Sequence, residues 1–259
     1  MLKSKMAIAL QTGNIFAFVI TLVVNGLASA SILGGKTTAE ISNQYFTLIT
    51  PAGYVFAIWG IIYALLAVFL VYQALPSQRG STFQGRVSVL FILSCLFNVG
   101  WIFLWQYGYI ALSVPFIVAL WATLAAIYFR LRVGKSNPPL REKACVQLPF
   151  SVYFGWITVA TFAGAAAALS YAGWVKWTPA DATWGILLAA IVLAISLTVV
   201  TTRRDIAYGL VIIWAFVGIA ANQSAVPNIV YVAEIGAAIV AACLVTAVAL
   251  SKFRKSKRN

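Results

Sequence analysis

The sequence has no histidine, and among its 259 residues there are only five acids, three cysteines and two methionines. Without histidine, a histidine-dependent catalytic triad, a histidine-ligated haem and histidine-containing metal sites are all excluded. The acids, Glu40, Glu142, Asp181, Asp205 and Glu234, fall in five separate segments. No obvious acid–base pair stands out, so neither an enzyme nor a metal site is expected. Cys95, Cys145 and Cys243 sit singly in apolar runs without a C-x-x-C spacing and read as small buried hydrophobes. The stretch "GGKTT" at residues 34–38 has Ala30 where a phosphate loop needs its first glycine, and it reads as a glycine-rich loop.

What the chain does have is apolar length. Hydrophobic residues make up 63% of it and charged residues 9%, in repeated runs of about twenty. The expected fold is all-α, a polytopic membrane bundle with helices near 6–30, 51–75, 86–107, 109–131, 144–169, 182–202, 206–222 and 229–250. The tightest connections are "YGY" at 107–109 and "TRRDI" at 202–206.

Charge supports the count of eight. The N-terminus, the loops after spans two, four and six, and the tail "KFRKSKR" carry 16 of the 18 Lys and Arg, leaving only Lys36 and Lys176 for the other side. Positive charge concentrates on cytoplasmic loops, so both termini are expected in the cytoplasm. The net charge of +13 then describes membrane orientation and implies no nucleic-acid partner. A competing reading takes Lys3, Lys5, the apolar stretch 15–24 and the small residues Ala28, Ser29 and Ala30 as a cleavable signal peptide, which leaves seven spans. Against it, "LQTGN" at 10–14 is polar where such a peptide is apolar.

Aromatic placement points to a site. In "TPAGYVFAIWGIIYALLAVFLVYQ", residues 50–73, Thr50 suits a helix cap and Pro51 the first turn. At 1.5 Å per residue, Trp59 then lies about 12 Å below the outer boundary of a hydrocarbon layer roughly 30 Å thick. Trp101 and Asn98 come to about 9 and 14 Å below that boundary, and Trp156 to about 12 Å. Three helices thus set an indole at nearly one depth, too deep for an interfacial belt. Trp105, Trp174, Trp177 and Trp184 fall at or near the boundary, where such rings are common. Asn98 shares a helix face with Trp101 and Trp105, and Glu234 comes to about 8 Å below the boundary. A polar group at such depth is expected to face protein or a cavity. The rings also fit plain gap-filling, Asn98 a helix-to-helix hydrogen bond, and Glu234 a nearby hydroxyl or water. Small-x-x-x-small faces at Ala160, Gly164 and Ala168, and at Ala238 and Ala242, suit close helix packing.

Three motifs, "PAGYVFAIWGIIY" (51–63), "LFNVGWIFLWQYG" (96–108) and "YFGWITVAT" (153–161), resemble in order the second, third and fifth helices of the tryptophan-rich sensory protein family, also called TspO or translocator protein. The resemblance reaches over residues 6–170. It implies a five-helix bundle, often a homodimer, that binds porphyrins and other flat lipophiles in a pocket closed by the loop between its first two helices. Carried over by motif, it points to Trp59, Asn98, Trp101, Trp156, Ala160 and Thr161 as ligand-binding residues. The chain departs from the family at Ala52, Val152 and Ala163, where proline, proline and asparagine are usual.

The expectation is therefore a multi-pass protein of a bacterial plasma membrane. Residues 1–170 would form a TspO-like five-helix domain and residues 171–259 three added helices with a basic cytoplasmic tail. Its partners would be the lipid bilayer and a small planar lipophile such as a porphyrin, a tetrapyrrole, with no cofactor required. Glu234 joins the six motif residues as a candidate ligand contact. The alternative is a transporter or permease component for a small lipophilic or amphipathic substrate, with Glu234 and Asn98 lining its path.

Overall fold

The computed structural model describes residues 2–178 and 182–256, with side chains described over 5–178 and 182–249. Asp181, Lys257 and Arg258 lie outside the described residues, as do the side chains of Lys3, Lys252, Arg254 and Lys255. In chain order the helices are α1 (Leu2–Ser29), α2 (Thr38–Gln44), α3 (Ile58–Ala74), α4 (Thr82–Gln106), α5 (Ile110–Arg130), α6 (Leu140–Glu142), α7 (Leu148–Tyr171), α8 (Thr183–Arg203), α9 (Ile206–Asn222) and α10 (Pro227–Ser256). A 3-10 turn at Gly53–Ala57 leads into α3, and a π-turn at Lys143–Gln147 joins α6 to α7.

The result is an all-α polytopic bundle. Among the described residues seven helices are long and apolar enough to cross a membrane, and α9, at 17 residues, is a shorter apolar eighth. At 1.5 Å per residue α9 rises about 26 Å, just under a hydrocarbon layer. Both of its ends are held by protein. Asp205 caps the first turn by accepting from the Tyr208 N–H at 3.2 Å. At the other end the Asn222 and Gln223 amides donate to the backbone carbonyl of Thr50 at 3.0 and 3.3 Å.

Helix α7 is the centre. It packs against α3, α5, α8 and α9, and 67% of its apolar window is buried, against 22% for α1 and 28% for α10. The peripheral helices show how lipid inverts ordinary patterning. On α1 the buried stripe is Gln11, Asn14, Phe18, Thr21, Asn25 and Ala28, while Phe16, Val19, Ile20 and Val23 face outward. Polar groups in hydrocarbon need partners, and these find them inside. Asn14 donates to the Gln73 side-chain carbonyl at 2.9 Å, and Asn25 donates to the Asn98 carbonyl at 2.7 Å. The polar "LQTGN" segment is thus half of the α1–α3 contact.

Two expectations are corrected here. Thr50 does not cap span two and Pro51 is not in its first turn. The Thr50 hydroxyl accepts from the Thr47 N–H at 3.0 Å, Ala52 N–H donates to the Gly218 carbonyl at 3.0 Å, and helical structure begins only at Gly53. The chain before α3 is pinned to α9 instead. Ala238 and Ala242 do not form a helix contact either, since both are exposed. The buried stripe of α10 is Ala233, Ala237, Val240 and Leu244, and close approach uses Gly209, which lies against Leu244, and Gly236, which lies against Phe216.

Candidate ligand-binding site

The site lies between α3, α4 and α7 under α2. Helix α2 is a seven-residue lid with its own start signal. Thr37 and Glu40 cap it reciprocally: the Glu40 N–H donates to the Thr37 hydroxyl at 3.2 Å, and the Thr37 N–H and hydroxyl donate to the Glu40 carboxylate at 2.6 and 2.9 Å. These hydrogen bonds hold the Glu40 carboxyl below its ordinary range. Capping lets so short a helix form although it has little length for cooperativity. The lid is tied down by the Trp105 indole N–H, which donates to the Thr38 carbonyl at 3.4 Å. Beside it the Gln106 amide donates to the Lys36 carbonyl at 3.0 Å.

Beneath the lid the aromatic rings form one continuous cluster. Trp59 stacks on Trp101 (centroids 5.8 Å apart, planes at 26°) and on Tyr63 (5.6 Å, 18°). Trp156 meets Trp59 edge-on at 6.2 Å and Phe56 at 5.8 Å. Offset and edge-to-face pairs at these separations are the favourable geometries for aromatic quadrupoles. The three indoles that the sequence sets at one depth therefore touch.

A slot opens on this cluster. Trp59, Trp101, Trp105 and Trp156 line it together with Phe56 and the small α7 residues Ala160, Ala163 and Gly164; Thr38 and Ser42 close it from the lid. It holds about 440 Å³ of space between atoms, but only about 30 Å³ of that can be reached by the centre of a water-sized sphere. The second figure is the one that decides fit, and it corresponds to one or two waters. A macrocycle must part these walls to enter.

The walls carry no charge. The indole N–H groups of Trp101 and Trp156 are buried and have no acceptor among the described residues. An unpaired buried donor costs about 1–3 kcal/mol. An occupant of the slot that brings oxygen acceptors would recover that cost.

The remaining candidates lie elsewhere. Asn98 is fully buried below the rings, where it accepts from Asn25 and donates to the Tyr153 hydroxyl at 3.0 Å, joining α1, α4 and α7. The Tyr63 hydroxyl sits beside Asn98 without reaching hydrogen-bond geometry. Thr161 is buried and donates to the Ile157 carbonyl of its own helix at 2.7 Å. Neither Asn98 nor Thr161 lines the slot. Glu234 does not face protein or a cavity as expected: it is exposed on α10, because the packed stripe of that helix runs through Ala233 and Ala237. Trp105, expected in the interfacial belt, is 4% exposed and walls the slot, whereas Trp174 is 81% exposed. Sequence reasoning also missed Phe56, Thr38, Ser42 and Ala163. Each carried a signal: Phe56 lies in the motif at 51–63, Thr38 and Ser42 in the loop that the resemblance makes the cover, and Ala163 where the family usually has asparagine.

The family model described as TSPO-like protein matches residues 10–246 of this chain. No curated protein and no solved structure matches it. The chain belongs to the TSPO-like family. The match continues past residue 170, the limit of the resemblance read from the three motifs, and through α8 and α9 into α10.

Proposed function

We propose that this TSPO-like membrane protein binds a planar lipophilic ligand of the porphyrin class between the Trp59, Trp101, Trp105 and Trp156 rings, with α2 as the cover. The reading rests above all on the two acceptor-less indole N–H groups beside stacked rings, since a flat π-system with peripheral carboxylates or carbonyls answers both features at once. Without histidine, stacking, shape and these donors would hold a tetrapyrrole, with no axial ligand from the protein. The lid must lift for entry. Lifting it breaks the 3.4 Å bond from Trp105 and exposes the buried Ile41 and Ser42, a cost that ligand binding has to offset.

Binding without catalysis is the role we assign, because no acid, base or nucleophile stronger than the Thr38 and Ser42 hydroxyls lines the slot. The transport reading relied on Glu234 and Asn98 sharing a path; one is exposed on α10 and the other buried among α1, α4 and α7, so binding is the better-supported role. On this reading the membrane is a bacterial plasma membrane, the basic loops lie on its cytoplasmic side, in keeping with the bias of positive charge, and the slot lies towards the outer face. The test is titration of the detergent-purified protein with protoporphyrin, haem, carotenoids and sterols, read by tryptophan-fluorescence quenching. A saturable signal with porphyrins supports the reading, and its absence with every planar ligand removes it.

A further inference from the structure

The "TRRDI" turn sends three consecutive charged residues in three directions. The Arg203 guanidinium lies over the Phe129 ring, 4.8 Å from its centroid. The Asp205 carboxylate turns inward and accepts from the Tyr128 and Ser151 hydroxyls at 2.9 and 2.6 Å. Arg204, between them, is exposed, and its guanidinium has no partner among the described residues. Its backbone is left-handed, φ 54° and ψ 38°, a conformation that favours glycine over arginine. Arg132, after the end of α5, shares this conformation, so what sets Arg204 apart is its place between two clefts.

Two clefts meet at this residue. One, of about 350 Å³, lies between the turn and the loop after α5, and Lys135 and Thr202 line it with Arg204. The loop is fixed close by: a Cβ on Gly134 would sit 1.8 Å from the Arg203 carbonyl oxygen. The other cleft, about 290 Å³, runs between the end of α8 and α10 and is lined by Ala242, Cys243, Thr246 and Ala247. Thr201 and Arg204 border both. The Thr246 hydroxyl donates to the Ala242 carbonyl, so this trough is apolar. From Ala247 to Ala242 it descends about 7.5 Å along the helix axis, inside the span Pro227–Ala249.

We infer that these clefts are one binding site for an anionic phospholipid, with the phosphate held between Arg204 and Lys135 and an acyl chain laid in the α8–α10 trough. Charge and shape agree on such an amphiphile. A free anion would use the first cleft alone, and a zwitterionic lipid would gain less, because its own cation offsets the attraction of its phosphate to Arg204 and Lys135. No acidic side chain lines either cleft, and the nearest carboxylate in sequence, Asp205, is committed to Tyr128 and Ser151.

The test is native mass spectrometry of the delipidated full-length protein, titrated with dioleoyl phosphatidylglycerol, dioleoyl phosphatidylcholine or inorganic phosphate. Phosphatidylglycerol is expected to be retained selectively. Arg204→Gly keeps the left-handed backbone and removes the guanidinium, so it is expected to weaken retention about tenfold. Arg132→Gly is the matched control, because Arg132 is also left-handed (φ 54°) and exposed but lines neither cleft; retention should not change. Ala242→Phe, an exposed position, fills the trough with both cations intact and should also lower retention. Equal retention of the two lipids, or equal losses from Arg204→Gly and Arg132→Gly, would overturn the site in favour of a diffuse basic surface. Inorganic phosphate binding as tightly as the lipid and indifferent to Ala242→Phe would overturn it in favour of a head-only anion site.

Discussion

Trp59, in the first turn of α3, and Trp101, five residues before the end of α4, stack with their ring centroids 5.8 Å apart. With Trp156 edge-on to Trp59 at 6.2 Å, the contact makes one aromatic wall from three helices. A bundle of this kind can pack without such a wall, since leucine and isoleucine fill space equally well. Indoles add a face for stacking and a directed N–H, and here two of those N–H groups lack a protein acceptor.

Topology follows from the alternation of charge. Reporters fused after Asn259 or within residues 136–139 are expected in the cytoplasm, and one within residues 34–38 outside it. Finding the C-terminal reporter and the 34–38 reporter on the same side would contradict eight spans.

Asp205 ties the C-terminal helices to the first five, since its carboxylate on the α8–α9 turn holds Tyr128 of α5 and Ser151 of α7. Asp205→Ala leaves both buried hydroxyls without that acceptor and removes the α9 cap, for an expected loss of about 2–4 kcal/mol. Asp205→Asn, which keeps one acceptor oxygen, should lose less. Thermal unfolding in detergent checks the order parent, Asn, Ala; an alanine variant as stable as the parent would show that the tie carries no energy.

The lid should loosen in acid. Hydrogen bonds from Thr37 lower the Glu40 carboxyl below its ordinary value of 4.5. The stabilisation is therefore fully present above the unfolded value and lost as pH falls through the lower folded value. Hydrogen exchange of the α2 amides, corrected for intrinsic rate, is expected to rise below about pH 4 in the parent. In Glu40→Gln that pH dependence should be largely gone. A parent lid whose protection is flat down to pH 3 would remove the capping box as its anchor.

How much of this was legible in the sequence follows from the geometry of a helix. Rise per residue is constant, so arithmetic along each helix set Trp59, Trp101 and Trp156 near one another, and Trp59 does meet both other rings, although the start at Thr50 from which its position was counted is wrong. Which way a side chain points depends on the neighbours, and in lipid both faces of a helix are apolar, so hydrophobic patterning gives little bearing. Glu234 and Trp105 were misplaced for that reason: each was at a plausible depth, but one faces out and the other in. The start of α3 was misread because the partners of Thr50 and Ala52 lie some 170 residues away in α9 and the residue after it, a distance no local cap signal reports. The polar stripe of α1 was visible only as an oddity, Gln11 and Asn14 in an apolar run, until Gln73 appeared opposite it.

The most direct test is the affinity of protoporphyrin IX for Trp59→Ala and Trp156→Ala, with Trp59→Phe, Trp156→Phe and the exposed Trp174→Ala as controls, each first matched to the parent in melting and size-exclusion behaviour. Removing either buried indole forfeits stacking of about 1 kcal/mol plus contact area, so affinity should fall roughly ten- to a hundredfold. The phenylalanine variants should fall between, and Trp174→Ala should bind as the parent does. Well-folded Trp59→Ala and Trp156→Ala proteins that bind the porphyrin as tightly as the parent would contradict the site and reduce the aromatic wall to packing.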